Sequence, residues 1–151
     1  MKNSPKITKI EVTTFEHTLD NVGKDYNTFN MVYERGGKVT QRGNVLQIHT
    51  DQGITGEYPG VGGPTLAQIQ MASEYLIGKD ALEREKIYQD LKRGLRHYDM
   101  TGVGPVDIAL WDIAGKLFDI PIYKLLGGTR KPLPAYASTL HGDENGGLST
   151  P

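Results

Sequence analysis

The spacing of hydrophobic positions changes from a period of two to a period near 3.6 partway along the chain. From Lys6 to Thr18 the residues alternate, with Ile10, Val12 and Thr14 on one face and Glu11, Thr13 and Phe15 on the other, which predicts a strand. Leu19 to Asn30 (LDNVGKDYNTFN) is polar and turn-rich and reads as a loop. A second strand region follows, interrupted at Arg35-Gly36-Gly37-Lys38. Val39 to Thr50 then alternates again, with Leu46, Ile48 and Thr50 on one face. Asp51-Gln52-Gly53 is a hairpin turn in which glycine supplies a positive φ, and Ile54 to Tyr58 is the return strand. The expectation is a three-stranded antiparallel meander.

Helical spacing takes over after the loop Pro59-Gly60-Val61-Gly62-Gly63-Pro64. Thr65 to Ile77 is amphipathic and stops at Gly78. Asp80 and Glu83 read as an N-cap and capping box for a second helix that stops at Gly94. Gly102 to Gly104 breaks the pattern, and Pro105 suits the first turn of a third helix running to about Phe118.

At about 100° per residue the third helix carries two apolar stripes. Val106, Leu110, Ile113 and Leu117 form one; Ile108, Trp111, Gly115 and Phe118 form the other, roughly opposite. Asp112 and Lys116 sit between them as an i,i+4 pair in the favourable orientation. Two stripes call for two packing partners. The meander and the first helices can cover one, and little of this chain is left for the other.

Beyond Gly127-Gly128 comes the charged link Thr129-Arg130-Lys131-Pro132. Leu133 to Thr139 then reads as a strand, His141 to Gly147 as a loop, and Ser149-Thr150-Pro151 as a helix start. That order is the opening of a βα repeat, so the chain is expected to be the front of a longer protein.

Composition narrows the chemistry. With 151 residues the chain can build one domain with a real core. Seventeen Lys and Arg against 18 Asp and Glu leave a net charge of −1, no footprint for nucleic acid or an anionic membrane. The densest basic cluster, Lys92-Arg93 with Arg96, reads as a solvated helix end. Without cysteine there is no disulfide, thiolate catalysis or zinc–thiolate site, which fits a cytoplasmic protein. No apolar run approaches membrane-spanning length, and MKNSPKITKI lacks a signal-peptide core. His17, His49 and His97 have no second ligand at metal spacing. The Gly-rich loop lacks GxGxxG spacing and a following Lys-Ser/Thr, which argues against phosphate binding.

The run Asp107-x-Ala109-Leu110-x-Asp112-Ile113-x-Gly115-Lys116, followed by Pro121-Ile122-x-x-Leu125-Leu126-Gly127, resembles the mandelate racemase/muconate-lactonising branch of the enolase superfamily. The order of elements resembles it too, over essentially the whole chain. Gly102, Pro105 and the hairpin return Gly53-Ile54-Thr55-Gly56-Glu57-Tyr58 depart from the usual residues of that branch.

The resemblance implies an α+β fold. Residues 1–130 would form an enolase-like N-terminal capping domain, and residues 131–151 the start of a (β/α) barrel, which typically needs about 250 residues. It implies removal of the proton α to a carboxylate, with Mg²⁺ stabilising the enediolate. The metal ligands and proton-abstracting bases of the family lie on later barrel strands, so no residue of this chain is assigned to metal or base. Relatives close two capping-domain loops over the barrel mouth. The matching segments, Glu16–Asn30 and Tyr58–Thr65, make Tyr26, Asn27, Tyr58 and Gly60 candidates for substrate contact, with the backbone of Val61-Gly62-Gly63. Ser138, Thr139 and His141 fall at the active-site end of the first barrel strand, where relatives hold the substrate carboxylate; Ser138 matches best. Asp112 and Lys116 are read as structural.

The implied function is that of a Mg²⁺-dependent acid-sugar dehydratase, or of a racemase, epimerase or cycloisomerase of the same family. The implied partners are a small carboxylate, the chain's own barrel domain and further copies in a homo-oligomer. The polar loop residues Asn21, Lys24, Asp25, Tyr26 and Asn27 favour a hydroxylated substrate. A function of another class is a non-catalytic capping module that binds a partner through Ile108, Trp111, Gly115 and Phe118.

Overall fold

In a computed structural model describing residues 4–140, the elements run β1 (Ile7–Lys24), β2 (Met31–Thr50), β3 (Thr55–Pro59), α1 (Gly63–Leu76), α2 (Arg84–Gly94), α3 (Val103–Phe118) and α4 (Ile122–Leu125). The strands form one sheet in the order β1-β2-β3. β3 pairs antiparallel with β2, Leu46 facing Tyr58 and Ile48 facing Gly56. This is the expected meander with helices after it.

The chain divides into two compact units. The first comprises Met1–Thr14 and Gly43–Arg130; the second comprises Phe15–Arg42 and Lys131–Pro151.

The first unit holds the core. Leu46 and Ile48 from β2 meet Leu76, Ile87, Leu110 and Ile113 from the helices, all essentially without solvent exposure. Burying such a side chain contributes roughly 1.5–3 kcal/mol. β1 enters through Ile7, whose backbone bonds Lys79 O at 2.9 Å and Gly78 N at 2.8 Å. Helix α3 has the two stripes read from the sequence. Val106, Leu110 and Ile113 are buried, while Ile108 and Phe118 are 44% and 50% exposed. It lies so close to β3 that a Cβ on Gly56 would collide with the Ala109 carbonyl and come within 2.7 Å of Ile113 Cγ1. Asp119 ends α3 in the left-handed region, φ 53°.

Four expectations need correction. Leu19–Lys24 is strand, not loop, and the turn is confined to residues 25–30. In this long hairpin, polar cross-strand contacts replace apolar alternation: Arg42 Nε to Glu16 at 2.7 Å, and Thr18 to Thr40 at 3.3 Å. The Arg35–Lys38 interruption is absorbed within β2. Asn21 (φ 58°) and Gly36 (φ 77°) take positive φ, and the Gly36 N–H donates to Asn21 Oδ1 at 3.0 Å.

Asp80 does not cap α2. The N-cap is Glu83, without a side-chain cap bond. Asp80 is bridged to Lys6, the Ala81 N–H donates to Pro5 O at 2.9 Å, and the Glu83 N–H closes a turn on Asp80 O at 3.1 Å, so Asp80 holds a turn ahead of the helix.

Leu133–Thr139, expected as the first barrel strand, has no regular secondary structure. A strand forms by hydrogen-bonding to a neighbour, and among the described residues this segment has none.

Candidate functional site

Within the first unit, the polar groups of α3 converge on β3. The Thr50 N–H donates to Ile54 O and the Gly60 N–H to Asn44 O, so antiparallel alternation turns the N–H and C=O of Thr55 and Glu57 away from β2. The α3 side chains take them up. The Glu57 N–H donates to Asp112 Oδ2 at 2.9 Å, and Lys116 Nζ donates to Thr55 O at 2.7 Å. Lys116 also meets Asp112 Oδ2 at 2.7 Å and Glu57 Oε2 at 3.3 Å. The far side of Glu57 accepts from Gln47 Nε2 at 2.9 Å. Next to it, His49 Nδ1 meets Thr55 Oγ1 at 3.0 Å and His49 Nε2 meets Glu11 Oε2 at 3.2 Å.

This network is a clamp, not a catalytic pair. Burial pulls the Lys116 ammonium down, but its bonds to Asp112 and Glu57 outweigh that and leave its pKa above the usual 10.5. A lysine acting as a base needs the opposite shift. Hydrogen bonds from Gln47 and Lys116 hold Glu57 below the usual carboxylate range. Sequence reasoning found the Asp112–Lys116 pair but missed its attachment to β3. The available signal was Gly56, a glycine inside a strand, which marks a close backbone approach.

The loop Tyr58–Gly63 leaves β3 in the same unit. Tyr58 is half-buried and packs on the core. Gly60 takes φ 89° and is exposed. The N–H groups of Gly60 and Val61 both donate to Asn44 O, at 2.9 and 3.3 Å, and Asn44 Nδ2 donates to Val61 O at 2.8 Å. Those N–H groups are committed to β2 and do not form an anion cradle.

In the second unit, Tyr26 and Asn27 occupy the turn between β1 and β2. Tyr26 is 66% exposed and Phe29 83%. The turn is tied to Asp25, whose carboxylate accepts from the Asn30 N–H at 3.1 Å and from Asn30 Nδ2 at 2.8 Å. The Asn27 amide faces the same carboxylate, and with its NH₂ turned inward it donates at 2.7 and 2.8 Å. Thr28 takes φ 67°, an uncommon state for a β-branched residue. Ser138 and Thr139 lie exposed in the segment after Lys131. Tyr26, Asn27, Ser138 and Thr139 thus belong to one unit, Tyr58 and Gly60 to the other; His141 lies outside the described residues.

Among the described residues no group of three or more His, Cys, Asp or Glu is placed to hold a metal ion. These residues do not fit a Mg²⁺ site. No helix among them is long and apolar enough to cross a membrane.

Residues 22–127 match the profile of the mandelate racemase/muconate lactonizing enzyme N-terminal domain. The chain is 35% identical over 141 residues to a D-galactarolactone cycloisomerase of Agrobacterium fabrum, covering 88% of this chain and 35% of that one. It is 36% identical over 110 residues to a D-mannonate dehydratase of Caulobacter vibrioides, covering 67% and 26% respectively. Among solved structures it superposes on a D-glucarate dehydratase from Agrobacterium tumefaciens complexed with magnesium. There the TM-score is 0.70 with 30% identity, over 92% of this chain and 37% of that one. The chain spans about a third or less of the curated relatives it matches.

Proposed function

Since the chain belongs to the mandelate racemase/muconate-lactonising enzyme family of the enolase superfamily, we propose that it caps an enzyme of acid-sugar chemistry. The reaction is removal of the proton α to the carboxylate of a hydroxy acid, followed by loss of water. Residues 1–130 are the capping domain and residues 131–151 begin the barrel. Mg²⁺ and the proton-abstracting bases belong to the barrel. The enzyme works in the cytoplasm as a homo-oligomer.

The observation that carries this reading is α3, which bears the Asp107–Lys116 motif with one face sunk in the core and the other only partly covered, Ile108 and Phe118 standing exposed. A helix with a partly open apolar stripe can be half of an interface, and the relatives are longer chains with more protein to supply the rest.

In this reading Tyr26, Asn27, Tyr58 and Gly60 line a lid, and Ser138, Thr139 and His141 lie at the mouth of the barrel. A lid here binds the hydroxyl groups of the substrate and excludes water from the charged intermediate. The exposed Tyr26 phenol suits that role better than Tyr58, whose ring packs on the core. Relatives named as D-mannonate and D-galactonate dehydratases support an acid-sugar substrate. The cycloisomerase aligned over 88% of the chain supports a second reading, ring opening of a sugar-acid lactone.

The test is turnover by the product of the complete reading frame, with Mg²⁺, on a panel of aldonic acids, aldaric acids and their lactones. Dehydrated 2-keto-3-deoxy products are expected. Lactone isomerisation alone would move the assignment to the second reading, and turnover of apolar acids only would overturn both.

A further inference from the structure

Helix α2 opens with a cation where its dipole disfavours one, since Arg84 is its first residue. The Arg84 guanidinium sits over the Trp111 ring, 4.0 Å from its centroid. Stacking holds the group in place, but nothing bonds it. Arg84 makes no hydrogen bond or ion pair among the described residues, and its Nε–H is enclosed without an acceptor. One turn before Trp111, Asp107 is half-buried and likewise makes no hydrogen bond among them. Burial raises the Asp107 pKa, opposed by the nearby Arg84 charge. Both groups line one open hollow of about 370 Å³ with Leu82, Glu85, Tyr88 and Trp111.

The enclosed Arg84 Nε–H is costly unless an acceptor completes it, and the Asp107 carboxylate beside it has no protein donor among the described residues. The charges decide what that is. A carboxylate would suit Arg84 but face Asp107 and Glu85, and an ammonium would suit those and face Arg84. An amide meets neither repulsion: its carbonyl accepts from the guanidinium and its N–H donates to Asp107. Its flat body also suits the Trp111 and Tyr88 rings. The exposed Ile108 and Phe118 lie on the same stripe of α3 as Trp111, so whatever covers that stripe passes this hollow.

Resting on the reading that a barrel domain covers α3, we infer that the hollow between α2 and α3 is a socket for a peptide amide of that domain. The probe is propionamide, compared with propionate and propylammonium at equal concentration. The readout is NMR of the 151-residue chain, following the Arg84 Nε–H and Trp111 indole N–H signals; Trp111 is the only tryptophan. Propionamide is expected to move both signals saturably and severalfold further than either ion. Asp107→Ala and Arg84→Lys should each reduce that response. In the barrel-bearing protein the socket is filled, and the signals should not respond. Equal or larger shifts with propionate, no shift with propionamide, or an undiminished response in the barrel-bearing protein would each overturn the socket. Acid-sugar turnover is read separately, so loss of the socket with turnover retained leaves the enzyme assignment standing.

Discussion

Asp112 on α3 accepts the backbone N–H of Glu57 on β3 at 2.9 Å, so a helix side chain takes the place a neighbouring strand would hold. Lys116, one turn on, does the same for the Thr55 carbonyl. The pair closes the outer edge of β3, which would otherwise offer free backbone groups for association.

Removing one partner should therefore cost more than its exposure suggests. Asp112→Ala leaves the Glu57 N–H and the Lys116 ammonium short of an acceptor and is expected to cost about 1–3 kcal/mol. Lys116→Met should cost about 0.5–1.5 kcal/mol, and the double variant less than the sum. Urea denaturation of the four proteins of this cycle checks it; strict additivity would show that the two side chains act independently.

The same network predicts how stability depends on pH. Glu57 has a folded pKa below its ordinary 4.5, so its contribution is present above that value and lost as pH falls through the lower folded one. Lys116 is shifted upward, so its contribution is present below 10.5 and lost as pH rises through its folded value. Glu57 is largely exposed, and the acid effect is small and screened by salt. Glu57→Gln should flatten the acid limb of a melting-temperature profile at low salt; an unchanged limb would remove Glu57 from the account.

Gly56→Ala tests the approach of α3 to β3. The new methyl meets the Ala109 carbonyl, which is backbone and cannot rotate away. A loss of about 2–4 kcal/mol is expected, at or above the usual range for overpacking. A change below about 0.5 kcal/mol, the level of an ordinary surface substitution, would show that the helix does not press on the strand.

The lid reading predicts a kinetic effect with little change in stability. Tyr26 and Ser138 are exposed, so Tyr26→Phe and Ser138→Ala should leave unfolding within about 0.5 kcal/mol. In the barrel-bearing protein each should lower kcat/KM for a preferred acid sugar by about tenfold or more. Unaltered kinetics for both would remove these residues from the substrate site.

Most of the sheet and all three long helices were legible because their apolar positions repeat at the right period. The two stripes of α3 could be separated by angle alone: the structure buries Val106, Leu110 and Ile113 of one and leaves Ile108 and Phe118 of the other exposed, with Trp111 and Gly115 half-buried. The errors have a common cause. Leu19–Lys24 is polar yet extended because its stability comes from the partner strand, which a local pattern does not display. Asp80 has the identity of a cap but is held by Lys6 and Leu82, one of them distant in sequence. Leu133–Thr139 has strand spacing but no neighbour to pair with among the described residues. The candidate site was legible only as segments, because no local pattern says that Asp112 and Lys116 close the β3 edge. Arg84 left a faint sign, a cation at the positive end of a helix, whose stacking on Trp111 only the fold reveals.

In the proposed function the open stripe of α3 is an internal surface of a larger enzyme. Hydroxyl-radical footprinting of Ile108, Trp111 and Phe118 tests it most directly, comparing the 151-residue chain with the product of the complete reading frame. These residues are expected to label in the short chain and to be protected severalfold in the longer protein. Equal labelling in both would contradict it, and would leave the stripe free for a separate partner, as in a binding module.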